Sequence, residues 1–176
     1  MIAIKRITTN QMALYDFVEQ LLTSAFPENE HRELITQREF TDHNPLFHVH
    51  VIFDDSTPIG FISYWDFTDF YYVEHFAIAA GQRNHKYGER VLEQLKENLG
   101  RPIVLEVEAP TDSLSERRIN FYQRLGFTLW QNEYLQPPYR KGDESLPMFI
   151  MTHGNLIPEK DFQQIKETLY KEVYLV

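Results

Sequence analysis

Apolar residues recur at Ile2, Ile4 and Ile7, close to the two-residue period of a strand with one buried face. The period then lengthens. Leu14, Phe17, Val18, Leu21, Leu22 and Ala25 stand three and four apart, which predicts an amphipathic helix that Pro27 ends. Residues 28–42 are polar except for Leu34, Ile35 and Phe40, and predict a second, shorter helix. Two apolar runs, 47–53 and 59–65, flank the turn 54–58 and read as a hairpin; a third run covers 70–78. Gly88, Val91, Leu92, Leu95 and Leu99 mark the next helix, closed by Gly100 and Pro102. After it the pattern predicts a strand at 103–108, a capped helix at 114–125 stopped by Gly126, and a strand at 127–134. A loop from Gln136 to Glu144, a last strand at 148–151 and a C-terminal helix carrying Phe162, Ile165, Leu169 and Val173 complete the chain. The order β-α-α-β-β-β-α-β-α-β-β-α predicts an α/β (α+β) domain over residues 1–176, built on one central sheet of about seven strands flanked by helices. Residues 155–176 form a helical appendage to it.

Composition narrows the function. With 43% hydrophobic and 14% aromatic residues the chain can build a substantial core. No run is long enough to span a bilayer, and the first ten residues lack the apolar centre of a signal peptide. The absence of cysteine excludes disulfides, thiolate metal sites and a cysteine nucleophile, so a cytoplasmic protein is expected. A net charge of -9 argues against nucleic acid as a partner, and no membrane partner is expected. The charge is uneven: residues 1–80 carry 4 Lys/Arg against 12 Asp/Glu, residues 81–176 carry 13 against 14. That imbalance suits a protein meeting a cation on its acidic side.

The segment AIAAGQRNHKYGERVL, residues 77–92, joins a strand end to a helix start through a turn bearing Arg83, His85, Lys86 and Arg90. Backbone N–H groups at a helix start, with the helix dipole, attract an anion. The plain alternative is a strand-to-helix turn whose basic residues are merely solvated. Ile119-Asn-Phe-Tyr-Gln-Arg-Leu-Gly-Phe127 is a helix end whose glycine can serve as a C-cap. Glu106 and Glu108 share a strand face and could bind a cationic acceptor; a structural salt bridge is the competing reading. His48 and His50 have the spacing of two ligands on one strand face but lack an evident third, so no metal is expected. Neither a Gly-x-Ser-x-Gly elbow nor a completed Gly-Lys-Ser/Thr phosphate loop is present.

Taken together, these segments resemble the GNAT superfamily of acyl-CoA-dependent N-acetyltransferases. Phe76-Ala77-Ile78 followed by Arg83-Asn-His-Lys-Tyr-Gly88 is similar to the family's strand and Arg/Gln-x-x-Gly-x-Gly/Ala turn, with Lys86 and Asn84 where glycines are usual. Phe121-Tyr-Gln-Arg-Leu-Gly-Phe127 matches the family's second motif in full. The resemblance implies a mixed, mostly antiparallel twisted sheet and transfer of acetyl from acetyl-CoA to a primary amine of a small molecule or peptide. It implies that Arg83, Asn84, His85, Lys86, Tyr87 and Gly88 hold the cofactor pyrophosphate. The backbone of Phe76, Ala77 and Ile78 would pair with the pantetheine arm, and Tyr122 would stand near the sulfur as general acid. Glu74 is the candidate base: in a regular strand it shares a face with Tyr72, Phe76 and Ile78, an apolar setting that is costly for a carboxylate outside a site. His75, of opposite parity, competes for that role if a bulge shifts the register. Glu106, Glu108 and Tyr139 are the candidate acceptor contacts. The competing function is an inactive GNAT-like module that binds acyl-CoA or a protein partner, and aromatic-rich edges with a C-terminal helix suit a homodimer.

Overall fold

The computed structural model describes residues 1–83 and 85–176, which form two compact units, Met1–Arg101 and Pro102–Val176. The first unit runs β1 (Ile2–Ile7), α1 (Met12–Ala25), α2 (Leu34–His43), β2 (Phe47–Asp54), β3 (Thr57–Asp66), β4 (Tyr71–Ile78) and α3 (Tyr87–Leu99). The strands β1 to β4 pair antiparallel in chain order. The apolar runs become strands buried on both faces: Phe47, Val49, Val51, Ile52, Phe61, Ile62 and Trp65 are almost wholly hidden. Helix α1 lays Tyr15, Val18, Leu21 and Leu22 into the core, as its three-and-four spacing requires.

Two local departures from regularity matter for function. Helix α2 starts at Leu34 rather than near residue 28, and a 3-10 turn, Glu28–Glu30, comes before it. His31 is extended, and both His31 and Arg32 are drawn inside, which an exposed polar helix would not allow. Along β3 and β4 the register slips, with Ser63 opposite His75 but Tyr64 opposite Val73, so Glu74 is an extra, bulged residue. The regular alternation expected for residues 72–78 is therefore broken at Glu74. Farther along the pair, Gly60 lies opposite Ile78, and a Cβ at Gly60 would collide with the carbonyl oxygen of Ala77. Only glycine lets the two backbones approach so closely there.

In the second unit β8 (Leu146–His153) is the organising strand. It pairs antiparallel with β5 (Ile103–Glu108), and also with β6 (Thr128–Leu129) and β7 (Tyr134–Gln136). The single strand expected at 127–134 is thus two short pieces. Between them Trp130 buries its indole, and its backbone N–H donates to the carbonyl of Ile150 at 2.9 Å. Helix α4 (Ser113–Arg124) starts on a capping box between Asp112 and Ser115. It ends on Gly126 at φ 85°, with the Phe127 N–H donating to the Tyr122 carbonyl at 3.1 Å, a Schellman-type stop. Helix α5 (Pro158–Thr168) continues into a π-helical turn, Leu169–Val173, and seats Ile165, Leu169 and Val173 in the core. Eight strands and five α-helices are present among the described residues, and every strand pairing named above is antiparallel. No described helix is long and apolar enough to cross a membrane.

Candidate active site

The basic turn after β4 has a specific backbone shape. A 3-10 turn, Ala80–Gln82, leads into it, and the Arg83 Nε–H reaches back to the Ile78 carbonyl at 3.5 Å. Lys86 is the N-cap of α3 and adopts the left-handed conformation, φ 56° and ψ 21°. The Lys86 side chain makes no capping hydrogen bond to the first amides of α3. The lysine that stands where the motif usually has glycine thus takes the backbone conformation glycine favours, at a cost of about 1–2 kcal/mol. Arg83, His85 and Lys86 are exposed, whereas Tyr87 and Gly88 are half-buried. The Tyr87 hydroxyl donates to Asp54 at 2.7 Å, which commits that phenol to β2. Asn84, the remaining expected contact of this turn, lies outside the described residues.

At the end of β4, Ala77 is buried, with Phe76 and Ile78 half-buried beside it. Within the first unit β4 is the last strand of the ladder and pairs with β3.

Glu74 proves to be tied down. Its side chain is fully buried and forms a two-pronged ion pair with Arg32, one arm at 3.2 Å and the other shorter. The Trp65 indole N–H donates to the same carboxylate at 3.0 Å. Burial pushes the Glu74 pKa up, but the charge of Arg32, aided by His75 and these hydrogen bonds, outweighs it and leaves the carboxyl below its ordinary range. Arg32 lies in an aromatic box, its guanidinium 4.9 Å from the Phe40 ring centre, 5.4 Å from Phe47 and 5.9 Å from Trp65. It also donates to Gln37 at 2.6 Å. The bulge directs His75 towards the same segment. Its ring is hydrogen-bonded to the Glu30 carbonyl at 2.8 Å and meets Phe26 edge-on at 4.7 Å. Glu74 and His75 together therefore anchor residues 26–32 to β4. A carboxylate held this way has low proton affinity, and the geometry fits an anchor better than a base.

Glu106 is held quite differently. It is half-buried on β5, and three neutral donors converge on its carboxylate: the Tyr134 hydroxyl on one oxygen, and Gln136 Nε2 and the Tyr174 hydroxyl on the other, the last at 2.6 Å. Burial, then the Glu106 charge and hydrogen bond, hold the Tyr134 phenol far above its ordinary pKa, so it remains a donor. Tyr139 packs its ring 5.1 Å from that of Tyr174. Glu108 stands 3.9 Å from Arg118, a loose and exposed pair.

Tyr122 sits near the end of α4, between Phe121 at 5.2 Å and Phe127 at 5.5 Å, and burial pushes its pKa up to about 12. It is protonated at neutral pH, as a proton donor must be. Elsewhere, His48 and His50 stack at 6.1 Å and His50 stacks on Tyr64 at 5.0 Å. Among the described residues no group of three His, Asp or Glu could hold a metal ion.

Arg32 and Tyr174 were not singled out from the sequence. Each left a trace: Arg32 is the one Lys or Arg between Arg6 and Arg38, and Tyr174 follows Tyr170 by one helical turn.

Comparison with known proteins gives the family of the chain. The model of the acetyltransferase (GNAT) family matches residues 13–127. A solved structure of a candidate GNAT-family acetyltransferase from Bacteroides thetaiotaomicron is 55% identical, covers 99% of both chains and superposes with a TM-score of 0.97. The ribosomal-protein-S18-alanine N-acetyltransferase of Escherichia coli is 19% identical over 89% of this chain and 99% of its own, TM-score 0.61. Naa50 of Arabidopsis thaliana, in complex with the bisubstrate analogue CoA-Ac-MVNAL, is 13% identical over 87% of this chain and 98% of its own, TM-score 0.59. The last two share the fold. None of the curated proteins compared matches the chain.

Proposed function

Since the chain belongs to the GNAT family of acetyltransferases, we propose that it moves the acetyl group of acetyl-CoA onto the primary amine of a cationic small molecule or peptide. The observation that supports this reading is the left-handed backbone of Lys86 at the start of α3. It preserves the amide-lined turn that a pyrophosphate needs, although the usual glycine is missing. Acetyl-CoA, as cosubstrate, supplies the activated acyl group. In this reading the amides around Lys86, Tyr87 and Gly88 bind its phosphates, with Arg83, His85 and Asn84 adding positive or polar contacts. The backbone of Phe76–Ile78 takes the amide-bearing arm as a sheet takes an added strand.

The amine nitrogen forms the new C–N bond as the C–S bond breaks, and Tyr122 gives its proton to the departing thiolate. The amine loses its own proton to water. Glu74, held by Arg32 and Trp65, serves by fixing residues 26–32 beside β4. Glu106, with Glu108 on the same strand and Tyr139 against the Tyr174 ring, is the candidate to receive the charge of the acceptor. A cytoplasmic location agrees with this chemistry, which draws on a metabolite of that compartment.

Thermal unfolding with acetyl-CoA and with CoA tests the cofactor reading. Both ligands should raise Tm in a concentration-dependent way, by the ordinary linkage of binding to folding. Lys86→Gly should keep or improve affinity if the backbone does the binding. No shift at millimolar ligand overturns the proposal, and a large loss in Lys86→Gly transfers the phosphate contact to the lysine side chain. Tyr122→Phe should lower kcat well beyond any change in the acetyl-CoA affinity; an unchanged kcat removes the acid role.

A further inference from the structure

We infer that Asp54, the last residue of β2, is a positioning residue for the cofactor: its hydrogen bond to Tyr87 holds the turn before α3 in the shape that meets the pyrophosphate. This role rests on the acetyltransferase reading above and deepens it, since Asp54 belongs to neither of the two sequence motifs. It lets a turn with lysine in place of glycine keep a glycine-like backbone.

The need for a tether follows from Lys86. At φ 56° and ψ 21° it occupies a region that glycine enters freely and a residue with a Cβ does not. Left to itself, such a residue relaxes to a right-handed or extended conformation, and the amides that follow it are aimed elsewhere. The next residue is Tyr87, the first of α3, and its phenol reaches back 33 positions to donate to the Asp54 carboxylate at 2.7 Å. The bond is charge-assisted. It draws the Asp54 pKa below its ordinary value, with the Met1 amino group aiding, and raises that of Tyr87, so acceptor and donor keep these roles at neutral pH.

Asp54 is itself well anchored. Its Cα partners are Ile2 on β1 and Thr57 on β3, so strands on both sides fix it, and its other carboxylate oxygen lies 3.0 Å from the Met1 amino group. The Tyr87 ring meets the His85 ring at 5.4 Å and lies under the Arg90 guanidinium at 5.7 Å. One phenol thus links a rigid sheet to the backbone bend and to the basic side chains beside it. The charge of Asp54 would repel a phosphate, so this residue favours the cofactor only through Tyr87.

The test is isothermal titration of the full chain with CoA. Tyr87→Phe should raise the Kd on the order of tenfold, the loss expected when about one molecule in ten holds the binding shape. Asp54→Ala should raise it too, although removal of a negative charge would by itself tighten binding. With Lys86→Gly in place, Tyr87→Phe should raise the Kd no more than about twofold, because glycine enters the left-handed region about as readily without a tether. A variant that merely folds poorly would not be repaired in this way. If wild type does not bind CoA at millimolar concentration, the acetyltransferase reading itself fails. If wild type binds and Tyr87→Phe binds equally well, the tether is overturned and that reading stands. A loss of the same size with and without Lys86→Gly also overturns it, because the phenol would then touch the cofactor or support the fold instead of holding the turn. Tighter binding in Asp54→Ala would overturn it as well, leaving repulsion as the whole effect of that carboxylate.

Discussion

Glu74 and Glu106 are both glutamates within strands, and in sequence they look like equivalent candidates for chemistry. Their surroundings separate them. Glu74 is wholly enclosed, neutralised by Arg32 and braced by Trp65, with the guanidinium itself boxed by Phe40, Phe47 and Trp65. Glu106 is half-buried and held by hydroxyl and amide donors. In the first arrangement a guanidinium meets the carboxylate inside the protein; in the second, hydroxyl and amide groups are among those that reach it. The two carboxylates are thus told apart by the groups that reach them, not by their position along a strand.

The contrast can be broken most forcefully at Arg32. Arg32→Ala leaves a buried carboxylate without its cation, and chemical denaturation should show a loss of about 3–5 kcal/mol. A loss under about 1 kcal/mol would mean that the pair contributes little and that Glu74 is free to act elsewhere. Glu74→Gln should cost less, about 1.5–3 kcal/mol, because the amide keeps part of the hydrogen bonding. Its pH dependence is more telling. The folded-state pKa of Glu74 is depressed, so the stability it contributes is present above the ordinary carboxyl value of 4.5 and is lost as the pH falls through the lower folded value. Wild type and Glu74→Gln should therefore converge in stability below about pH 4.5; parallel curves through that range would show that Glu74 is not held ionised. The smallest stability effect should come from Glu106→Gln, about 1 kcal/mol or less, with the damage appearing in acceptor KM instead. Were Glu106→Gln as destabilising as Arg32→Ala, the two carboxylates would be alike and the distinction between them would collapse.

Much of this was legible in the residues. The apolar runs and the helical spacings place β1 to β5, α1, α3 and α4 close to where they stand, because each is a long periodic stretch bounded by proline, glycine or a cap. The turn at Arg83–Gly88 and the Phe121–Phe127 helix end were readable as motifs. The β4 bulge was not, since the slip at Ser63 and Tyr64 is set by pairing with β3 and leaves no mark in the local pattern. That slip is why regular alternation misplaces Glu74 and His75 relative to each other. Trp130 misled in a similar way: a β-forming residue extends the apparent strand 127–134, yet it lies, buried, between two short strands. The Arg32–Glu74 and Tyr174–Glu106 links join residues 42 and 68 positions apart, and composition or periodicity carries no information at that range.

The strand that never touches the cofactor in this reading nevertheless governs how accurately it is met. Gly60 has no side chain, and the Ala77 carbonyl occupies the space where one would begin. Any methyl group added there would press directly on the peptide units of Phe76–Ile78, tilting the carbonyls and amides proposed to receive the pantetheine arm. Tolerance to sequence change around the cofactor strand is therefore set from its neighbour. Drift at residue 60 would be felt as a loss of catalytic alignment before it was felt as a loss of fold, and a survey of variants confined to the motif residues would miss it.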